Sequence, residues 1–454
     1  MNELCDWLDP KGCPAERPPL ARMAPATREL HGALDQRARV EGVAWLNPEH
    51  RTIQRDLLGS PNVVAWQEAK LAFMLRGDGA WSELPHLYAR YGTPGTAALI
   101  ATLRGLEGAR CAFVTDCGMQ AYALVVDALL ATGTHAVLMR QVYNKTKTFT
   151  EHTARRIGAT VSLVDDGDHA ALAAAIKPET RFVFAETFTN PLMHAQDIGA
   201  LVQTVRARNP TTKLVIDSTI ATPWAFRTPL LAQGVAIVIG SLTKALGGRD
   251  AALGGYIATD DAELGNQIMD LVAMRGGILD DDRARAIVPA LAGANERHAR
   301  RCETAARVAR FLASHPRVER AFSPALPDHP DAAVIARDYA RTGSIVAFRV
   351  GGADELRHRH IADVLASTGV PRYALSFDGL PTKINHHRTV SEYFTPDDVV
   401  ARAGIDRLIR LGIGIEDADD LIACLNWTLH HEARVTTADL DAWRTARGVE
   451  LGLR

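Results

Sequence analysis

The residues with the clearest chemical potential stand in the stretch Ser241-Leu242-Thr243-Lys244, which directly follows an apolar run at residues 235–240. Such a run is typical of a short buried strand. Burial disfavours the ammonium form of a lysine, so the pKa of Lys244 would fall and its amine could form an imine. Because Ser241 and Thr243 alternate with Leu242, both hydroxyls could face one side and bind a phosphate. A strand end with an exposed lysine explains this stretch, taken alone, equally well.

Polar or aromatic residues also follow other predicted strands. Gly118 and Met119 come after the run at residues 111–114 and would begin a helix, whose first backbone N–H groups form a natural anion site. Taken alone, this motif is also an ordinary strand-to-helix turn. Tyr143 follows the run at residues 136–139 and could stack on a planar cofactor, although a tyrosine at such a place is more often part of the packing.

Carboxylate, amide and guanidinium groups stand at three further places. Glu186 and Asn190 follow the run at residues 181–185 and suit polar contacts to a ring substituent, although Asn-Pro is also a turn signal. Asp217 ends a buried strand, where a carboxylate is costly without a partner, and either a protonated ring nitrogen or a backbone cap could be that partner. Arg410 interrupts an apolar strand and suits a bidentate grip on a carboxylate, with a surface ion pair as the alternative.

Strand-like and helix-like segments alternate through the first half of the chain. The predicted strands are residues 111–114, 136–139, 160–164, 181–185, 213–216 and 236–239. The predicted helices include residues 96–106, 119–130, 169–176 and 199–207. This alternation predicts an α/β fold with a mostly parallel sheet covered by helices on both faces. Ligands of such sheets bind beyond the carboxyl ends of the strands, which is where the polar residues stand.

A second, smaller α+β unit is predicted after a long helix at residues 296–314. Its strands are residues 318–322, 344–350 and 408–415, and its helices are residues 354–367 and 417–430, followed by a helical tail at residues 433–454. We therefore divide the chain into an N-terminal arm (residues 1–85), a large domain (residues 86–295) and a small domain (residues 296–454).

The composition excludes several classes of partner. The chain has 454 residues, of which 47% are hydrophobic and 23% charged, as in ordinary globular proteins. A net charge of −2 gives no reason to expect nucleic acid or an anionic membrane as partner. There is no apolar run long enough to span a bilayer and no secretory signal, so we expect a cytoplasmic protein. The 6 cysteines lack zinc-type spacing, which predicts reduced thiols and no metal site.

Together these residues supply what pyridoxal 5′-phosphate (PLP) chemistry requires, which is a lysine that forms an imine and an acid for the ring nitrogen. The chain resembles the Cys/Met-metabolism family of fold-type I PLP enzymes, which includes cystathionine γ-synthase, cystathionine γ-lyase and methionine γ-lyase. The resemblance covers residues 87–430. The matching motifs are Tyr88-x-Arg90-Tyr91-Gly92-x-Pro94, Gly118-Met119, Val142-Tyr143, Glu186-Thr187-x-x-Asn190-Pro191, Asp217-x-Thr219, Ser241-x-Thr243-Lys244 and Ile409-Arg410-Leu411-x-x-Gly414-x-Glu416.

The resemblance implies a role for each matching residue. Lys244 would hold PLP and move protons, Asp217 would pair with the pyridine nitrogen, and Tyr143 would stack on the ring and protonate the leaving group. Arg410 would bind the substrate carboxylate and Ser376 would fix Lys244. The remaining residues would bind the cofactor: Asn190 and Glu186 near the ring hydroxyl, Thr219 beside Asp217, and Gly118, Met119, Ser241 and Thr243 around the phosphate.

Two residues would act across a subunit interface. In this family Tyr88 and Arg90 would reach the phosphate of a neighbouring subunit, so we expect at least a homodimer and, by the same resemblance, a homotetramer. The sequence also departs from the family pattern. An unrelated, longer arm stands at the start, Cys117 replaces a serine, Arg249 replaces a residue of a Gly-His pair, and a Ser-Leu-Gly-Gly loop is Ser376-Phe377-Asp378-Gly379.

One departure bears on the substrate. Members that process cystathionine often carry a glutamate just before the loop serine, where it can meet the distal ammonium group, and Leu375 stands there instead. We therefore predict PLP-dependent γ-elimination, a lyase reaction of sulfur amino-acid metabolism, on a sulfur or homoserine-type amino acid with a smaller or less charged leaving group. The alternatives are γ-replacement of the cystathionine γ-synthase or O-acylhomoserine sulfhydrylase type, β-elimination or action on a non-protein amino acid, and a PLP-binding module without turnover.

Overall fold

A computed structural model of the chain describes residues 89–247, 249–393 and 395–450, together with Pro25. Two β-sheets organise this part of the chain, and each has its own cluster of buried apolar side chains. The predicted arm at residues 1–85 lies outside the described residues apart from Pro25, and so does Tyr88. The predicted domain boundaries therefore stay predictions.

The first sheet has seven strands in the order β1-β7-β6-β5-β4-β2-β3. These strands are β1 Cys111–Thr115, β2 His135–Met139, β3 Thr160–Val164, β4 Thr180–Glu186, β5 Lys213–Asp217, β6 Ile237–Ser241 and β7 Gly255–Thr259. The pairings from β3 through β2, β4 and β5 to β6 are parallel, whereas β7 runs antiparallel to both β1 and β6. Apolar side chains such as Val183, Ile216 and Ile239 are buried in these strands because helices cover both faces of the sheet.

Among the residues that the structure describes, seven α-helices accompany the first sheet. They are α1 Pro94–Glu107, α2 Gly118–Leu129, α3 Asn144–Ile157, α4 His169–Ala175, α5 Ile198–Arg208, α6 Ala262–Arg275 and α7 Asp281–Leu291. The ends of α1 follow from its sequence. Thr93 and Thr96 form a reciprocal capping box at its start, and Gly108, with φ of 65°, ends it in the left-handed conformation that glycine adopts easily.

The second sheet has five strands in the order β10-β11-β12-β9-β8. The strands are β8 Val318–Phe322, β9 Ile345–Val350, β10 Arg372–Tyr373, β11 Lys383–His386 and β12 Ile409–Gly412. The helices of this part are α8 Ala294–Ser314, α9 Ala332–Asp338, α10 Glu355–Ser367, α11 His387–Ser391, α12 Asp397–Arg402, α13 Ala418–Glu432 and α14 Thr437–Glu450. Phe348 and Leu411 of the sheet belong to one buried cluster with Leu312 of α8 and Leu425 of α13.

The structure confirms an α/β fold with a mostly parallel sheet and a smaller α+β unit. Each of the six strands predicted in the first half is present, with ends that differ by at most two residues. The elements not named in the sequence prediction are strands β7, β10 and β11 and helices α3, α6, α7, α9, α11 and α12. Strand β12 is also shorter than the predicted segment at residues 408–415.

Within the described ranges, no helix combines the length and the apolar character needed to cross a bilayer. The same residues contain no group of three His, Cys, Asp or Glu side chains placed to hold a metal ion.

Candidate active site

A cavity of about 320 Å³ lies beyond the carboxyl ends of β4, β5 and β6, where the loops of the second sheet meet the first. Twelve of the predicted site residues line it. They are Gly118, Met119, Tyr143, Glu186, Asn190, Asp217, Thr219, Ser241, Thr243, Lys244, Ser376 and Arg410. The carboxyl edge of the parallel sheet therefore gathers these residues as predicted, and the second sheet adds the last two.

Lys244 stands in a widened turn directly after β6. The N–H of Gly247 donates to the carbonyl of Leu242, five residues earlier, at 3.1 Å. A Cβ on Gly247 would lie 2.1 Å from that carbonyl oxygen, so the turn requires a glycine there. Lys244 itself leaves helical geometry, with φ of −95° and ψ of −140°. The backbone of the turn, rather than strand alternation, therefore sets the direction of the lysine side chain.

The amine of Lys244 meets groups from the second sheet. Its Nζ donates a hydrogen bond to Ser376 Oγ and lies 4.7 Å from the centre of the Phe377 ring. Burial lowers the pKa of Lys244 below its usual value, while the negative charge of Asp378 opposes that shift. A lysine with a lowered pKa holds more of the free amine, which is the form that attacks an aldehyde.

Hydroxyl and backbone groups surround a place suited to a phosphate. Helix α2 begins at Gly118, and a Cβ there would lie 3.1 Å from the Cβ of Ser241, so the helix start approaches β6 closely because the residue is glycine. Thr219 Oγ1 accepts from the N–H of Ser241 at 2.9 Å, and Thr243 Oγ1 accepts from the N–H of Gly254 at 3.1 Å. A helix N-terminus beside two hydroxyl side chains is a suitable anion site.

Two carboxylates stand side by side at the strand ends, because Glu186 pairs with Asp217 in the register of β4 and β5. Asp217 Oδ1 accepts from the N–H of Thr219 at 2.8 Å, and Glu186 Oε1 accepts from the N–H of Tyr143 at 2.6 Å. Burial raises the pKa of Asp217 to about 6, and the bonds with Thr219 oppose it. Burial and the neighbouring Asp217 raise the pKa of Glu186 well above its ordinary value. A cationic ring nitrogen would relieve this repulsion, so the pair fits a pyridinium.

Arg410 of β12 lines the same cavity and is 2% exposed. Its Nη2 donates to the carbonyl of Ser376 at 3.1 Å and its Nη1 to Asn190 Oδ1 at 3.5 Å. Among the described residues, its buried Nε has no acceptor. Burial lowers the pKa of Arg410 to about 10, which still leaves the guanidinium charged at neutral pH. It therefore has donor capacity for a carboxylate.

The two remaining predictions concern Tyr143 and the subunit interface. Tyr143 is 50% exposed at the start of α3, and burial raises its pKa, as do the nearby Tyr393 and Glu186. Arg90 lies away from the main cavity, and its Nη1 donates to the carbonyl of Ala273 at 3.0 Å. The contacts of Arg90 and Tyr88 with a neighbouring subunit stay predictions.

Sequence reasoning missed three residues that position the site. The ring of Phe377 lies against both Lys244 and Arg410, the latter with its Cζ 5.4 Å from the ring centre. Arg301, buried in α8, donates to the carbonyls of Ala245 and Gly379 and so links the lysine turn to the loop that carries Ser376. The third is Asp378, a buried carboxylate two residues after Ser376. Arg301 stands in a helix rich in arginine, several of which are exposed, so its sequence offered no signal that this one is buried.

The chain matches the sequence model of one protein family, described as "Cys/Met metabolism PLP-dependent enzyme", over residues 65–430. It is 32% identical over 335 residues to cystathionine beta-lyase MetC of Bacillus subtilis (strain 168), covering 74% of this chain and 83% of that protein. It is also 32% identical over 338 residues to cystathionine gamma-synthase 1, chloroplastic, of Arabidopsis thaliana, covering 74% of this chain and 58% of that protein.

Solved structures give the same result. A crystal structure of cystathionine gamma-lyase from Lactobacillus plantarum, complexed with L-serine, matches with a TM-score of 0.71 and 29% identity, covering 77% of this chain and 89% of that one. The fold is therefore fold type I of the PLP-dependent enzymes. The chain belongs to the Cys/Met metabolism family of PLP-dependent enzymes, and its cofactor is PLP. The relatives carry out synthase, β-lyase and γ-lyase reactions, so membership alone leaves the reaction open.

Proposed function

We propose that the protein is a PLP-dependent γ-lyase. It would take an L-amino acid with a leaving group on the γ-carbon and, with one water molecule, release that group in protonated form together with ammonia and a 2-oxo acid. The observation that carries the proposal is the position of Lys244, whose amine of lowered pKa stands within the same cavity as the carboxylate clamp Arg410. A base held at this place can act on the carbon atoms that follow a clamped carboxylate.

The residues would divide the work as follows. PLP, when bound, supplies the electron sink that makes the protons next to the amino group acidic. Arg410 binds the substrate carboxylate, and Lys244, oriented by Ser376, takes protons from the α- and β-carbons. Tyr143, whose pKa burial raises further above the ordinary value of a tyrosine, is protonated at neutral pH, and it gives that proton to the departing group.

Two surfaces would hold the cofactor. Asp217, with Glu186 beside it, would bind the ring nitrogen, and Asn190 would contact the ring hydroxyl. The phosphate would lie against α2 and β6, held by Gly118, Met119, Ser241 and Thr243, with Thr219 fixing the backbone of Ser241. A homodimer or homotetramer in the cytoplasm, with Tyr88 and Arg90 reaching a neighbouring subunit, completes this proposal.

The mouth of the cavity favours an apolar leaving group. Leu375 is 79% exposed and Leu253 is 57% exposed, and both line the cavity. The charged side chains among the described lining residues are Glu186, Asp217, Lys244 and Arg410. Glu186 and Asp217 are assigned to the cofactor, and the other two residues are cations. This lining therefore leaves no carboxylate for a distal ammonium group. A substrate such as methionine or an O-acylhomoserine therefore suits the site better than cystathionine.

The test is an assay of 2-oxo acid release by the purified holoenzyme from methionine, homocysteine and O-acetylhomoserine. Release without an added thiol supports the lyase. Turnover only when a thiol is present would establish γ-replacement. A coloured protein that turns over none of these would point to a binding module. Lys244→Ala should abolish turnover, and activity retained in that variant would refute the assigned base.

A further inference from the structure

Asp378 is a buried carboxylate close enough to both cations of the active site, Lys244 and Arg410, for its charge to act on each. The residue is 1% exposed, and its Oδ1 accepts a hydrogen bond from the hydroxyl of Ser344 at 2.8 Å. Within the described part of the chain, no donor reaches its other oxygen. Its φ of 59° falls in the left-handed region, which favours glycine. Burial, an incompletely paired charge and a strained backbone thus coincide at one residue, and such coincidence is frequent at functional sites.

The loop that carries Asp378 lies directly on the strand that carries Arg410. A Cβ on Gly412 of β12 would come within 3.2 Å of the Asp378 backbone nitrogen. Two residues earlier in the loop, Ser376 bonds the amine of Lys244, and its carbonyl accepts from Arg410. The negative charge of Asp378 raises the pKa of both cations and so opposes the effect of their burial.

We propose that Asp378 sets how strongly Arg410 holds a substrate carboxylate. A carboxylate that enters the cavity is attracted by Arg410 and Lys244 and repelled by Asp378, all in surroundings of low polarity where charges act strongly. The inference rests on the proposed role of Arg410 as the clamp. The substrate and the 2-oxo acid product both carry a carboxylate, so the acid at position 378 weakens the binding of each and speeds release of the product.

The test uses butanoate, a carboxylate with no amino group, titrated into the holoenzyme by calorimetry. Asp378→Asn keeps the shape and an oxygen for Ser344 but removes the charge, so butanoate should bind at least fivefold more tightly. Asp378→Gly, which also suits the positive φ, should tighten binding in the same way. Both variants should lower KM for the amino-acid substrate, and neither should raise kcat.

Ser344→Ala is the matched control, because it removes the hydrogen bond to Asp378 and leaves the charge in place. Its affinity for butanoate should stay within twofold of the wild-type value. The inference is overturned if Asp378→Gly binds butanoate as the wild type does, or if Ser344→Ala tightens binding as much as Asp378→Asn, since loop placement rather than charge would then be responsible.

Arg410→Ala separates this inference from the proposed function. Butanoate binding that persists in this variant refutes the clamp and the inference with it. If binding depends on Arg410 and tightens in Asp378→Asn, but the wild type releases no 2-oxo acid, the inference stands while the γ-lyase proposal fails.

Discussion

Replacing Glu107 with glutamine should stabilise the protein at alkaline pH and change little at acidic pH. Glu107 ends helix α1, is 1% exposed, and accepts a hydrogen bond of 2.5 Å from the hydroxyl of Tyr256 on β7. Burial raises its pKa from 4.5 to about 7, and the bond from Tyr256 opposes the rise. Glutamine has nearly the same shape and keeps an acceptor for that hydroxyl.

The direction in which Glu107 changes the free energy of unfolding with pH follows from proton linkage. Between pH 4.5 and about 7 the unfolded chain releases the Glu107 proton while the folded chain keeps it, so this residue removes stability as the pH rises through that window. The loss approaches about 3 kcal/mol above pH 7, and roughly 2.5 kcal/mol of it arises between about pH 5 and about pH 8. With an unfolding entropy of about 2.1 cal/mol/K per residue, this corresponds to about 2–3 °C in Tm.

The assay compares the Tm of wild type and Glu107→Gln at about pH 5 and about pH 8, with the cofactor saturating at both. The Tm of Glu107→Gln minus the Tm of the wild type should be about 2–3 °C larger at the higher pH than at the lower pH. Glu151→Gln, at an exposed position of α3, is the matched control and should show no such increase. A difference in Tm that is the same at both pH values would refute the reasoning.

Three further changes test the active site. Arg410→Lys loses one of the paired donors to the substrate carboxylate and should lower kcat/KM by about 10- to 100-fold, mainly through KM, in a steady-state assay of 2-oxo acid release. Gly118→Ala places a methyl group against Ser241 and should weaken PLP binding about tenfold in an absorbance titration. Leu375→Glu should raise kcat/KM for cystathionine relative to methionine by up to about fivefold, the size of an exposed ion pair.

These outcomes have clear opposites. If KM is unchanged in Arg410→Lys while the cofactor absorbance is intact, Arg410 does not bind the substrate carboxylate. Undiminished PLP affinity in Gly118→Ala would move the phosphate away from the start of α2. If Leu375→Glu leaves kcat/KM for cystathionine relative to methionine unchanged, the distal part of the substrate does not lie near this residue.

The sequence predicted the cofactor edge of the site because parallel strands bring their carboxyl ends to one place. Asp217 ends β5 and Lys244 follows β6, and because these strands are parallel neighbours in the sheet, both residues lie at the same edge. Ser241 and Thr243 line the same cavity, as expected, but strand alternation is not the reason, and their contact with a phosphate stays a prediction. Strand β6 ends at Ser241, and Thr243 reaches the cavity through the widened turn instead of by alternation.

The substrate side of the site was harder to predict. The contact between Ser376 and Lys244 joins residues 132 positions apart and depends on how the second sheet packs against the first. No local pattern fixes that packing. Strand β7 was missed because it begins at Gly255 directly after Gly254, and a Gly-Gly pair is typical of a turn, not of a strand. Helix α7 contains Pro289, which normally argues against a helix interior.

The position of Arg301 has a consequence for how this protein loses activity. Its guanidinium donates to the carbonyl of Ala245, next to Lys244, and to the carbonyl of Gly379, in the loop that carries Ser376. The proposed base, Lys244, follows a strand of the first sheet, whereas the proposed carboxylate clamp, Arg410, belongs to the second, and each sheet has a core of its own. Turnover therefore requires the two sheets to stay packed against each other. A small separation between them would abolish activity even if each sheet kept its own fold.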